Sequence, residues 1–206
     1  MAMRFYMTPG SCSTGIHILL EELDLPFEAW IVNLPAGEHH KPGYHAINPK
    51  STIPTLVRQD GTALTEFQAI AWWLARTHPK AKLLPEYPDG EARVLEVMDY
   101  AVGTLHGQGF ARIFITDTFT PSAADHAAVQ ARGREIVNQG FAILNDALAG
   151  LDYVTGGFSI ADAALFYVEF WADRLGIPLP EHCDAHYQRL RTRPAVQRVL
   201  REEGYR

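Results

Sequence analysis

Sulfur is scarce in this chain. Its 206 residues include two cysteines, Cys12 and Cys183, far apart and not in a Cys-x-x-Cys pair. That excludes a disulfide scaffold or a zinc ribbon, and it makes a reducing cytoplasm the default location. Long apolar runs are missing too: no stretch approaches the about 20 residues of a membrane-spanning helix. The chain enters its first expected strand almost at once, which leaves no room for a signal peptide. No block of positive charge occurs either. Eighteen Lys and Arg stand against 24 Asp and Glu, a formal net charge of −6, which argues against nucleic acid and anionic membrane as partners. What is present is ordinary globular material. With 47% hydrophobic and 20% charged residues, the chain can build a sizeable core as one domain or two small ones.

Residues 4–7 form a short aromatic-rich run that ends in the turn signal Thr8-Pro9-Gly10. After it, Ile16, Leu19, Leu20 and Leu23 recur at helical spacing, so Cys12 and Ser13 fall at a strand-to-helix junction. The first turn of a helix has unpaired N–H groups and the positive end of its dipole, which lower a thiol's pKa. Cys12 is therefore poised as a thiolate or as a donor to one, or it is a small buried residue in a turn. The sequence alone leaves both readings open.

Asp24-Leu25-Pro26 stops this helix, and residues 27–33 read as a second strand, parallel to the first in a βαβ unit. A loop rich in Pro, Gly and His follows, carrying His39, His40 and His45. No carboxylate or cysteine pattern completes a metal site there, so a solvated loop and a metal-free chain are expected. Pro54 opens a strand at 55–58, where proline is tolerated because only the first ladder donor is lost. Asp60-Gly61 is a hairpin turn, residues 62–65 return antiparallel, and Glu66 opens a helix with apolar Ala69, Ile70, Trp73 and Leu74. The order β-α-β, loop, β-β-α is a thioredoxin-like arrangement.

Three prolines and a glycine between His78 and Gly90 mark a linker. Domains are expected at 1–78 and 91–206, joined by 79–90. The second reads as helix throughout. One stripe runs through Val94, Met98, Ala101/Val102 and Leu105, another through Val137, Phe141, Leu144, Leu148 and Leu151. Ser159 and Asp162 form a capping box ahead of an apolar helix that buries Ala163, Phe166, Phe170 and Trp171. Two shorter helices follow, with Arg193-Pro194 between them. Cys183 reads as structural.

With those landmarks in place, the chain resembles the cytosolic glutathione transferases, most of all the bacterial beta class. The matches run the full length: Phe5-Tyr6 with Pro9-Gly10-Ser11-Cys12-Ser13, Asn48-Pro49 with Ile53-Pro54, and Glu66-x-x-Ala69-Ile70. His106, Ser159-x-Ala161-Asp162 and Arg193-Pro194-Ala195-Val196-Gln197 complete the set. The resemblance implies a glutathione transferase fold, namely an α/β thioredoxin-like N-terminal domain plus an all-α C-terminal domain, in a cytoplasmic homodimer. It also implies a cis bond before Pro54.

The same resemblance implies roles. Cys12 faces the sulfur of glutathione with Ser13 as the neighbouring hydroxyl, and Ile53 pairs its backbone with the cysteinyl part. Glu66 and Phe67 hold the γ-glutamyl end at a helix start, and Asp99 reaches glutathione from the partner subunit. His106 and Trp171 line the side for the second substrate, a small hydrophobic electrophile. Two positions depart from the family pattern. Phe67 replaces the usual small polar residue of the glutamyl subsite, and Pro35 stands where beta-class enzymes carry a lysine, with Lys41 or His40 as substitutes nearby. Three functions follow, in this order: conjugation of glutathione to an electrophile, as in detoxification; a monothiol redox cycle through Cys12; and a binding protein without turnover.

Overall fold

The computed structural model describes residues 2–205, which divide into two compact units. The first comprises residues up to Leu84 together with the stretch from Leu190 onward, and the second runs from Pro85 to Arg189.

The first unit is built on β1 (Met3–Met7), the most deeply buried strand of the sheet together with β3, with Phe5 fully enclosed. Helix α1 (Ser13–Glu22) returns the chain so that β2 (Phe27–Ile31) lies parallel to β1, Met3 facing Phe27 and Met7 facing Ile31. After the short α2 (Pro42–His45), β3 (Thr55–Val57) pairs antiparallel with β1, and β4 (Ala63–Thr65) antiparallel with β3. The mixed sheet has the order β2-β1-β3-β4, the expected thioredoxin-like arrangement. Helix α3 (Phe67–Thr77) buries Phe67, Ile70, Ala71, Leu74 and Ala75, a stripe at three- and four-residue spacing. The stripe includes Phe67 and excludes Ala69, which is exposed, so the expected face of this helix is rotated by about one position.

Residues 190–205 lie in the first unit, although the chain order had grouped them with the helical domain. The physical reason is visible at α9 (Pro194–Glu202). It is too short to stand alone, its buried face is Ala195, Val196, Val199 and Leu200, and that face packs on α1. Arg193 grips Glu22 through two parallel bonds of 2.7 and 2.8 Å, the strong bidentate geometry. Arg198 reaches Glu21 at 2.6 Å.

In the second unit, α4 (Pro88–Asp99) runs into a π-helical stretch (Tyr100–Phe110) and then α5 (Ala111–Phe114). The buried positions of the wide segment include Ala101, Leu105 and Phe110. They face α6 (His126–Leu148) across glycines. A Cβ on Gly133 would come within 2.7 Å of the Gly109 carbonyl, and one on Gly140 within 2.7 Å of Leu105. α6 buries Val137, Phe141, Leu144 and Leu148, whereas Leu151 lies beyond its end and is exposed.

Helix α7 (Ile160–Arg174) is enclosed from Ile160 to Ala172 and begins with the expected capping box. Asp162 Oδ2 accepts the Ser159 N–H at 2.7 Å, and Oδ1 accepts the Val154 N–H at 2.9 Å. Helix α8 (Glu181–Arg191) brings a buried histidine that sequence reasoning missed. His186 lies with Nδ1 2.9 Å from Glu169 and Nε2 3.0 Å from Asp162, all three fully enclosed. Desolvation pulls this imidazole's pKa down. The field of Glu169, together with the hydrogen bonds to Asp162 and Glu169, outweighs it and pushes the pKa up to about 10. Cys183 is buried beside them and donates to the Phe141 carbonyl at 3.5 Å, a structural thiol. Among the described residues no helix is long and apolar enough to cross a membrane.

Candidate functional site

The loop from Thr8 to Cys12 carries the first group of expected residues. It turns at Gly10, whose φ of 71° suits glycine and whose absent Cβ would otherwise stand 2.1 Å from the Tyr205 hydroxyl. Glu203, just past α9, anchors the loop. Its Oε2 accepts the Gly10 N–H and the Thr14 hydroxyl, each at 2.7 Å, while Oε1 lies 2.9 Å from His17 Nδ1. A single glutamate near the chain terminus carries no sequence signal for this role.

Ser13 is fully buried and turned into the loop. Its hydroxyl accepts the Thr8 N–H at 3.1 Å and sits 2.6 Å from the Ser11 hydroxyl. That makes it a brace for the turn. Cys12 stands at the N-terminal cap of α1, buried, with Sγ donating to the Ile53 carbonyl at 3.6 Å. Burial pushes this thiol's pKa up to about 12. The Cys12 and Ser13 backbone N–H groups pull the other way and lose, and the Glu66 charge adds slightly to the rise. Of the readings left open by the sequence, a thiolate, a donor to one or a small buried residue, the enclosure favours a protonated, buried thiol over a thiolate.

The second group surrounds the turn before β3. Asn48 is fully buried and donates to the Thr52 carbonyl at 2.8 Å and to the Thr55 hydroxyl at 3.0 Å. The Tyr44 hydroxyl donates to the same Thr52 carbonyl at 2.6 Å. These bonds hold the turn in which Ile53–Pro54 is cis, so that the Ile53 backbone lies beside Cys12. Glu66 precedes α3 with φ 72° and ψ 130°, an uncommon conformation for a residue with a side chain. Lys50 Nζ holds its carboxylate at 2.7 Å and the Thr65 hydroxyl at 2.8 Å. The first unit thus brings together Cys12, Ile53, Pro54 and Glu66, with Phe67 turned into the core.

In the second unit, His106 lies in the π-helical stretch. Its Nδ1 is 3.3 Å from the Tyr167 hydroxyl, and its ring stands edge-on to Trp171 at 4.9 Å. Trp171 also meets Phe110 at 5.3 Å and Phe114 at 5.1 Å. Desolvation pushes the His106 pKa down to about 4, so the ring is neutral near pH 7. Trp171 is buried while Phe114, Ile115 and Phe119 are exposed, which gives this cluster an open apolar margin. A π-helical segment frequently accompanies a functional site, but its hydrogen-bond shift leaves no mark on a helical sequence pattern. Asp99, at the end of α4, is exposed. Lys41 is exposed and pairs with Glu38 at 3.6 Å.

Comparison with known proteins adds to this geometry. The family model for the glutathione S-transferase N-terminal domain matches residues 10–77, and that for the C-terminal domain matches residues 127–202. The glutathione S-transferase GstA of Escherichia coli O157:H7 is 34% identical over 98% of this chain and 99% of its own length. A glutathione transferase homologue from sulfitobacter, solved with bound glutathione, superposes with a TM-score of 0.90 at 29% identity, covering 98% of both chains. The bacterial beta-class glutathione S-transferase of Sphingomonas chungbukensis superposes with a TM-score of 0.85 at 27% identity, again over 98% of both chains.

Proposed function

Because the chain belongs to the glutathione S-transferase family and is a glutathione transferase, we propose that it joins reduced glutathione to a small hydrophobic electrophile. The observation that carries this reading is the Cys12 thiol beside the Ile53 backbone, next to the cis-proline turn. A group with a pKa near 12 keeps its proton at neutral pH. It then serves as a hydrogen-bond donor to the glutathione sulfur and favours the thiolate of the tripeptide by stabilising its charge. The glutathione thiolate attacks the electrophile, a carbon–sulfur bond forms, and the leaving group departs with its electron pair.

In this reading the Ile53 backbone pairs with the cysteinyl part, and Pro54 fixes its direction. Glu66 and the backbone at Phe67 take the γ-glutamyl end at the start of α3, where the helix dipole favours a carboxylate. Phe67 contributes no side-chain hydrogen bond because its phenyl ring carries no polar donor or acceptor, and the ring is buried in the α3 core stripe. Ser13 shapes the loop. His106 and Trp171, with the exposed Phe114, form the apolar wall for the electrophile, and the neutral imidazole supplies a polar contact there. Asp99 reaches glutathione bound to the partner subunit of a homodimer.

The monothiol redox reading is not favoured, since the attacking species in disulfide exchange is a thiolate and Cys12 is buried and protonated. Loss of function is not favoured either, because the turn, the cis-proline and the helix start are all intact. The test is conjugation of glutathione to an activated aryl chloride, followed as thioether product. Wild type and Cys12→Ser are both expected to turn over, the variant within about tenfold because serine keeps a donor. Disulfide reductase activity that disappears in Cys12→Ser, with no conjugation by wild type, overturns the reading.

A further inference from the structure

The first unit holds a second cluster, on the other side of the Gly10 loop's anchor. We propose that His17, Glu21 and Glu202 form a binding site for a divalent metal ion of the zinc type, joining the first helix to the end of the last one. His17 and Glu21 are one helical turn apart on α1, so they share a face, and Glu202 closes α9. One ligand atom from each lies within 4.8 Å of the others. Among the described residues this is the one group of three such side chains within reach of a common ion. The cluster borders a cavity of about 490 Å³ lined in part by Met7, Pro9, Phe27 and Ile31, which leaves space for water as a further ligand.

The chemistry of His17 points to the ion. The ring is 3% exposed. Its Nδ1 is 2.9 Å from Oε1 of Glu203, a buried side chain whose other oxygen already accepts two hydrogen bonds. A carboxylate engaged in this way takes its third bond from a donor, so Nδ1 carries the hydrogen. In the neutral ring Nε2 then presents its lone pair. That atom is buried and has no hydrogen-bond partner, yet it lies 3.2 Å from the carboxylate oxygen Oε2 of Glu202. A lone pair facing a carboxylate calls for a cation between them. The contact is within ion-pair distance but outside hydrogen-bond geometry. A metal satisfies both groups. The buried glutamate behind the histidine is the partner that orients a metal-bound imidazole and raises its basicity.

One imidazole and two carboxylates suit zinc, with bonds of about 2.0–2.2 Å and ligand atoms roughly 3.4 Å apart. Glu202, at the helix end and half exposed, is free to close the remaining gap. Arg198 holds Glu21 Oε2 at 2.6 Å, and the second oxygen serves the ion. This reverses the expectation of a metal-free chain. That expectation was drawn from the His39–His45 loop, whereas His17 is hidden in an apolar helix and shows its partners only in the fold.

The test uses the full chain, free of any affinity tag and stripped of metal. Zinc is titrated against a chromophoric chelator, and cobalt(II) is followed by its visible absorption. One ion per chain is expected with micromolar or tighter affinity, weakened at least tenfold in Glu21→Gln and in Glu202→Gln. Cobalt(II) is expected to give the absorption of a nitrogen–oxygen site without thiolate charge transfer. Zinc is expected to raise the thermal midpoint of wild type but not of Glu202→Gln, which leaves the Glu203 anchor untouched. No zinc uptake at about 100 μM overturns the proposal and leaves His17 and Glu202 as a side-chain contact only. Uptake that survives both glutamate changes, or that is lost in Cys12→Ser or His39→Gln instead, overturns it equally.

Discussion

The two units each bury a histidine against a glutamate, at the same 2.9 Å from Nδ1, and use it differently. In the second unit His186 is capped at both nitrogens, by Glu169 and Asp162. Its hydrogen bonds are complete, so the assembly is a charged bolt between α7 and α8. In the first unit His17 is hydrogen-bonded at Nδ1 by Glu203, while Nε2 lies 3.2 Å from Glu202 outside hydrogen-bond geometry at the cavity edge. A saturated buried histidine contributes stability. An unsaturated one is equipped to bind. Each therefore breaks in its own way.

The largest effect is expected at the saturated end. Glu169→Ala leaves the buried imidazolium of His186 short of its partner at Nδ1, and removing one member of a buried pair costs about 3–5 kcal/mol. Urea unfolding measures it, and a loss below about 1 kcal/mol would mean that the cluster is not charged.

Next comes pH. The folded pKa of His186, about 10, is above the unfolded value near 6.5. Its contribution is full below pH 6.5 and is lost as pH rises towards 10. His106 has the opposite sign. With a folded pKa near 4 against 6.5, its contribution is full above pH 6.5 and is lost as pH falls towards 4. Denaturation midpoints are thus expected to decline on both sides of neutrality. His106→Gln should flatten the acid limb only, and an unchanged acid limb in that variant contradicts the assignment.

A smaller loss is expected for Glu203→Gln, because the amide replaces a charged acceptor of three bonds. Hydrogen bonds to charged groups are worth about 1.5–3 kcal/mol, and the Gly10 loop next to Cys12 should loosen with it. Limited proteolysis near Gly10 reads that loosening directly, and an unaltered cleavage rate speaks against the anchor. The smallest effect belongs to Cys12 itself. At pH 8 a thiol with a pKa near 12 is ionised in roughly one molecule in ten thousand. Alkylation by iodoacetamide should therefore be slow until the chain unfolds. Rapid labelling of the native protein at pH 8 contradicts the buried thiol.

Much of this architecture is legible in the sequence because it rests on local rules. The succession of strands and helices in the first unit follows from Thr8-Pro9-Gly10, Asp60-Gly61 and the apolar runs between them. The Ser159–Asp162 cap is written in adjacent residues, and the Cys12 junction lies between a strand pattern and a helix pattern. What was not legible depends on long-range packing. Glu203 reaches Gly10 across 193 residues, and no periodicity marks such a pair. That the Phe67 ring joins the core stripe of α3, leaving only its backbone at the helix start, shows only once α3 has taken its turn. Ser13 carries the residue type of a catalytic hydroxyl, yet Thr8 and Ser11 already occupy it. For Cys12 the sequence offered both a helix end and a buried turn, and only the packing shows that burial prevails.

The most direct test of the account is calorimetric titration of the purified protein with reduced glutathione up to about 10 mM. If the proposed placement of the tripeptide at the start of α3 and the Ile53 turn holds, one saturable site per chain is expected, with a dissociation constant between about 10 μM and 1 mM. The thermal midpoint should rise with it. Neither heat nor thermal stabilisation at the highest concentration contradicts a glutathione site in this chain and, with it, the proposed conjugation.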